Sequence, residues 1–250
     1  MPKTTEEEAE AICNRIRKNC KLNHKTIIPL SIALGVSSKK ESKKPIDEVL
    51  VEAEDKVYRE KLVNEKRIKK NIIDSLNKEL FLRHDYIKEH INRVKKYAVE
   101  LGKKMNLSEK ELKNLKMLAK LHDIGKVGIP EEILSKPGKL KKEEYEIIKT
   151  HAEKGYRIAM FNPEFEKIAP CILAHHERYD GTGYPLGLKG DEIPLLARII
   201  NVVDSYDAMT NKRVYKKSLS AEEAKKEFKK NSGTQFDPII VEKFLELGRI

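Results

Sequence analysis

The sequence predicts a mainly α protein: a helical bundle of about seven helices over residues 83–250, a small α/β fragment over 1–62, and a linker helix over 63–82. Three observations carry this reading. Apolar residues recur at three- and four-residue spacing along most of the chain. Strand signals are confined to one short apolar run, and Gly and Pro gather between the periodic stretches rather than inside them. At 250 residues and 39% hydrophobic content the chain is long enough to bury a sizeable core.

Taken in order, Thr5 precedes the acidic turn Glu6–Glu8 and reads as a helix N-cap. Ala9, Ile12, Cys13, Ile16 and Cys20 then fall on one helical face. The apolar run Thr26–Ser37 reads as a buried strand with Gly35 near its end. Pro45 opens a helix as its first residue, with Ile46, Val49, Leu50, Ala53 and Val57 on one side. One strand has no partner for its backbone groups, so residues 1–62 are too little for a stable domain. Residues 56–82 are continuously helical and highly charged, with a spaced stripe of Ile68, Ile72, Leu76 and Leu80 suited to pairing with a second copy of the chain. Beyond residue 83, stripes such as Ile87, Ile91, Val94, Ala98 and Leu101 repeat in helix after helix, as an all-α bundle requires.

Composition narrows the function. No apolar run approaches the ~18 residues of a membrane span, and the N-terminus has no signal-peptide core. Cys13, Cys20 and Cys171 form no CxxC pair, which points to a reducing cytoplasm. The net charge of +11 suggests an anionic partner. With no Trp, six Phe and no aromatic pattern beside the basic residues, nucleic acid is a poor fit. A phosphate-bearing ligand or simple solubility accounts for the charge better.

The chemistry lies where polar residues interrupt the apolar stripes. His90 follows Ile87 by three and precedes Val94 by four. His122 follows Leu118 by four, with Asp123 beside it; His151 follows Ile148 by three; His176 follows Ile172 by four, with His175 beside it; Asp204 follows Ile200 by four. One inward His is usually a hydrogen-bonded core residue. Seven such groups on several helices are different, because burying them uncompensated costs several kcal/mol. A metal removes that cost by neutralising the carboxylates and fixing the imidazoles. His and carboxylate without thiolate suits Fe, Mn, Zn or Ni. Seven candidates exceed the needs of one ion, so a two-metal site with a shared Asp is expected, and such sites serve in-line displacement at phosphorus. Cys171 reads as core packing.

These residues also carry a family resemblance. HDIGKVGIP (His122–Pro130) resembles the signature of HD-domain metal-dependent phosphohydrolases, and HHERYDGTGYP (His175–Pro185) that of the HD-GYP subfamily, the cyclic di-GMP phosphodiesterases. HINRV, the helix carrying His151 and Gly155, IPLLARIINVVDSYDAMT, RVYKK and GTQFDP follow in the order the family shows, over roughly residues 80–250. The resemblance implies an HD-type bundle in which His90, His122, Asp123, His151, His175, His176 and Asp204 hold two divalent ions, Fe or Mn first and Zn or Ni otherwise. It implies that Asp123 bridges the ions and that Lys126 contacts the scissile phosphate. Arg213 and Lys216 would hold phosphates of the nucleotide. The loop Asp180–Pro185, with Gly183 and Tyr184, would border the site and read a guanine or a partner GGDEF domain. Some members add a Glu four residues before the first His that holds a third metal; here Tyr86 stands there, which implies the two-metal form.

TEEEAEAICNRIRK, PLSIALGVS and PIDEVLVEAEDKVYREK resemble the C-terminal part of a GGDEF, or diguanylate cyclase, domain whose signature and preceding half are not in this sequence. The expectation is therefore a fragment of a longer GGDEF–HD-GYP protein or a natural relic of one, without cyclase activity. The function implied is hydrolysis of cyclic di-GMP to linear pGpG, with the further step to GMP left open. The alternatives are a cyclic di-GMP receptor that has lost turnover and an HD hydrolase for another cyclic dinucleotide.

Overall fold

The computed structural model describes residues 4–22, 32–39, 44–83, 85–211 and 218–248. It divides into two compact units, Met1–Asp74 and Ser75–Ile250. Helix α2 (Ile46–Arg83) runs through the boundary between them.

In the first unit, α1 (Glu6–Leu22) starts as its sequence dictates: Thr5 Oγ1 accepts from Glu8 N at 3.2 Å, while Glu8 Oε2 accepts from Thr5 N at 2.8 Å. The expected strand is corrected here. Thr26–Leu30 and Ser31 lie outside the described residues, and 32–39 form no strand; among the described residues there is no sheet at all. Side chains from the helices take the place of a neighbouring strand. Leu34 N donates to Glu60 Oε2 at 2.8 Å, and Leu34 O accepts from Arg17 at 3.1 Å. Val36 O accepts from Lys56 Nζ at 2.6 Å, and Ile32 O from Asn64 at 3.4 Å. Buried backbone groups must be paired, and here long polar side chains do it. Gly35 permits the approach: a Cβ there would lie 2.1 Å from Ala53 O.

The second unit is all helix: α3 (Asp85–Lys104), α4 (Glu109–Leu121), α5 (Glu131–Leu134), α6 (Lys142–Lys149), α7 (His151–Met160), α8 (Ala169–Ala174), α9 (Leu195–Thr210), α10 (Ala221–Lys230) and α11 (Pro238–Leu245). That is nine among the described residues rather than about seven. The additional pieces, α5 and α8, are one to two turns long and too short to show a periodic stripe. Helix α4 is set by a capping box, Ser108 with Glu111, and buries Leu112, Leu115 and Leu118 on its inner face. Helix α9 is the centre of the bundle and packs against α3, α4, α8, α10 and α11. It buries Ala197, Ile199, Ile200, Val202 and Val203, so it is apolar on most sides, as a central helix must be. Arg198 of α9 donates to Asp237 Oδ2 at 2.6 Å. Asp237 caps α11 through the Ile239 and Ile240 amides. No helix among the described residues is long and apolar enough to cross a membrane.

Candidate metal centre and its cleft

Helix ends build the centre. His122 is the C-cap of α4, His175 is the C-cap of α8, and His151 follows the C-cap of α6. The last carbonyls of a helix have no intrahelical partner, and each of these rings takes one. Nδ1 of His122 lies 3.1 Å from Ala119 O, Nδ1 of His151 is 2.7 Å from Ile148 O, and Nδ1 of His175 is 2.5 Å from Ile172 O. An imidazole whose Nδ1–H is given to a carbonyl presents a bare Nε2 lone pair on its other side. The fold therefore aims three acceptor nitrogens inward.

Two groups of ligand atoms result. Asp123, His151, His175 and His176 form one, and His90, His122 and Asp204 the other, with the atoms of each group within 4.8 Å of one another. Asp123 faces both: Oδ1 is 3.4 Å from His151 Nε2 and 3.9 Å from His175 Nε2, while Oδ2 is 3.5 Å from His122 Nε2. All seven residues singled out as ligands from the sequence thus lie in one place. A tight backbone contact holds the two groups together. The 3-10 turn Ile124–Gly128 that follows Asp123 lies against α7, and a Cβ on Gly125 would fall 1.9 Å from His151 O.

The donor set fits a divalent cation. His122 Nε2 and Asp123 Oδ1 are buried without a hydrogen-bond partner. The Nε2 atoms of His151 and His175 face each other at 3.3 Å, yet with both Nδ1 protons engaged neither has a proton to share. Burial pushes the imidazoles of His151 and His175 below their ordinary range, and that of His176 to about 3. Burial, the largest single influence, opposes charge on Asp123, but the Lys126 ammonium at 2.6 Å from Oδ2 and the His122, His151 and His175 rings together outweigh it, and the carboxyl stays well below the usual carboxylate range. Neutral imidazoles around an ionised carboxylate are the protonation states that metal binding needs.

Three residues that the sequence reading did not single out support the centre. Asp207, one turn beyond Asp204 on α9, is 2% exposed and takes His90 Nδ1 at 2.7 Å. Arg93 of α3 donates to both of its oxygens. The signal was the i, i+3 pairing of His90 with Arg93 and of Asp204 with Asp207, which puts each pair on one helical face. Glu177 is the third. Its Oε1 accepts from the Leu186 and Gly187 amides at 2.6 and 3.1 Å, tying the loop after Tyr184 back to the histidine pair.

A cleft of about 550 Å³ opens beside the centre, with Lys126, His151, His176, Gly183, Tyr184 and Asp204 in its wall. The Tyr184 ring stacks on His176 at 4.9 Å between centroids. Gly183 is there for proximity, since a Cβ would lie 2.3 Å from Arg178 N; Gly181, at φ +85°, is there for its backbone conformation. Asp180 does not line the cleft. Its carboxylate accepts from Thr182 N and Oγ1 and from Arg178, so it shapes the loop from within. Pro185 follows a cis peptide bond and is also outside the lining. Arg213 and Lys216 lie outside the described residues, as does the side chain of Tyr86.

A protein-family model described as "HD domain" matches residues 74–240. The chain belongs to the HD domain family. Among curated relatives, a cyclic di-GMP phosphodiesterase of Thermotoga maritima is 44% identical over 162 residues, covering 64% of this HD-domain chain and 44% of the relative. A 3'3'-cGAMP-specific phosphodiesterase 2 of Vibrio cholerae is 40% identical over 159 residues, covering 63% and 30% respectively. The chain therefore spans less than half the length of either relative. A solved structure of an HDG"Y"P protein from Bdellovibrio bacteriovorus matches 98% of this chain and 82% of its own at a TM-score of 0.54 and 14% identity, a likeness of fold alone.

Proposed function

We propose that this HD-domain chain is a metal-dependent phosphodiesterase that opens cyclic di-GMP to linear pGpG and carries it on to GMP. One observation supports this above the others: two adjoining groups of His and Asp ligand atoms, shared through Asp123, beside a cleft of nucleotide size. In this reading His151, His175 and His176 hold one ion, His90, His122 and Asp204 hold the other, and Asp123 serves both. Such an ion pair, Fe or Mn by preference, supplies a water-derived nucleophile and charge neutralisation at phosphorus. Lys126 sits in the cleft wall next to Asp123, where its ammonium offsets charge growing on the phosphoryl oxygens. Arg213 and Lys216 hold the remaining phosphates. The imidazoles of His151, His175 and His176, pushed down by burial, serve as neutral ligands rather than proton carriers.

The 40% identity to a cGAMP-specific enzyme favours a second substrate of the same class, a cyclic dinucleotide with one guanine. Residues 1–62 read as the end of a GGDEF domain followed by a linker at 63–82 and the hydrolase at 83–250. The Ile68–Leu80 stripe supports pairing with a second chain, and the loop around Tyr184 supports contact with GGDEF domains. The protein works in the cytoplasm, where its substrate would be made. Chromatography of cyclic di-GMP incubated with Mn(II)- or Fe(II)-loaded protein tests the activity. Conversion to pGpG or GMP that a chelator abolishes is expected; intact substrate with every divalent ion would leave a receptor and refute the hydrolase.

A further inference from the structure

Helix α6 contributes a wall of the cleft that the catalytic reading leaves unused. Tyr145 and Lys149, one turn apart on one face, both line the cleft. Tyr145 is 46% exposed, a large ring offered to solvent rather than to the core. The Lys149 ammonium lies 5.0 Å from the Tyr145 ring centroid and 5.5 Å from that of Tyr184, which in turn stacks on the metal-facing His176. Two aromatic rings hold a cation in place one residue removed from the metal ligands. Its carboxylate partner is Glu146 at 2.8 Å, an i, i+3 pair with Glu146 56% exposed. Exposed pairs of this kind contribute little, so a ligand atom can replace Glu146 at small cost.

We propose that Lys149 reads the base of the bound dinucleotide, donating to O6 and N7 of a guanine that lies against Tyr145. The chemistry selects guanine. Lys has three donors and no acceptor. Guanine offers two acceptors along that edge, whereas adenine places an amino donor beside N7. Flat rings beside the ammonium match a base better than a tetrahedral phosphate, and Lys126 already serves the phosphate side. The inference rests on the cyclic-dinucleotide reading above and names the feature that sets its substrate preference.

Calorimetry on the Mn(II)-loaded full chain tests it, with cyclic di-GMP, 3'3'-cGAMP and cyclic di-AMP as probes carrying two, one and no guanines. The expected affinities fall in that order. Lys149→Met should reduce the preference for cyclic di-GMP over cyclic di-AMP by about tenfold or more, and Lys149→Arg, which has the same donors in a fork, should retain it. Equal weakening toward all three probes by Lys149→Met would assign the lysine to phosphate and overturn the proposal. So would an unchanged ratio, or a wild-type chain with no guanine preference. Product analysis on the same samples separates the two readings. Guanine-selective binding without cleavage sinks the hydrolase and leaves Lys149 in its role; cleavage indifferent to the base does the reverse.

Discussion

The two halves of the metal centre are held by different means. In the group of Asp123, His151, His175 and His176, two rings are fixed by carbonyls three residues before them at helix ends, Ile148 O of α6 and Ile172 O of α8. In the group of His90, His122 and Asp204, His122 is likewise held by Ala119 O, but His90 is fixed by side chains: His90 to Asp207, and Asp207 to Arg93. The first half is therefore a consequence of where helices end. In the second, His90 depends on one buried carboxylate, which burial pushes toward the neutral form and which the bonds from His90 and Arg93 hold below the usual carboxylate range. The general lesson is that a backbone-held ligand is robust to substitution around it, while a side-chain-held ligand can be tuned.

Removing the shared residue should have the largest effect, because it erases the difference between the halves. Asp123→Ala is expected to lose both ions and all turnover while far-ultraviolet circular dichroism stays helical. Metal analysis showing two ions per chain in that variant would break the bridging assignment. Lys126→Ala comes next. It should leave both ions bound and lower turnover on the order of 10²-fold, the effect of one preorganised charge; unchanged kinetics would reduce Lys126 to a partner of Asp123. The smallest expected effect sharpens the comparison most. Asp207→Asn keeps the shape and removes the charge behind His90. It should weaken metal affinity roughly 10- to 100-fold, with the loss confined to one of the two ions in a titration. Equal weakening of both would show that the halves are not independent.

The site was far more legible in the sequence than the fold around it. His and Asp that interrupt an apolar stripe at helical spacing give themselves away, since each helix has only one buried face, and seven of them were visible before any coordinates. Asp207 was not, although it sits on the same face as Asp204. A carboxylate behind a ligand leaves the same spacing as a ligand, and nothing in the sequence ranks the two. Tyr145 falls at helical spacing with Ile148 and Lys149 among the charged residues of the same helix, so neither stands out locally. What sets them apart is the neighbouring loop that brings Tyr184 beside them, a long-range contact no local pattern encodes. The run near Gly35 failed in the opposite way. Its composition is that of a strand, yet strand character needs a partner chain segment, and in residues 32–39 Arg17, Lys56, Glu60 and Asn64 satisfy the backbone instead. Short helices such as α5 and α8 were missed because a single turn has no period.

The central claim is that the two ligand groups hold two ions joined by Asp123. An anomalous-scattering map of Mn(II)-loaded crystals tests it most directly. The account predicts two peaks per chain, one among His151, His175 and His176 and one among His90, His122 and Asp204, each next to one oxygen of Asp123. A single peak, a third fully occupied peak beside Tyr86, or two peaks with Asp123 turned away from either would contradict it.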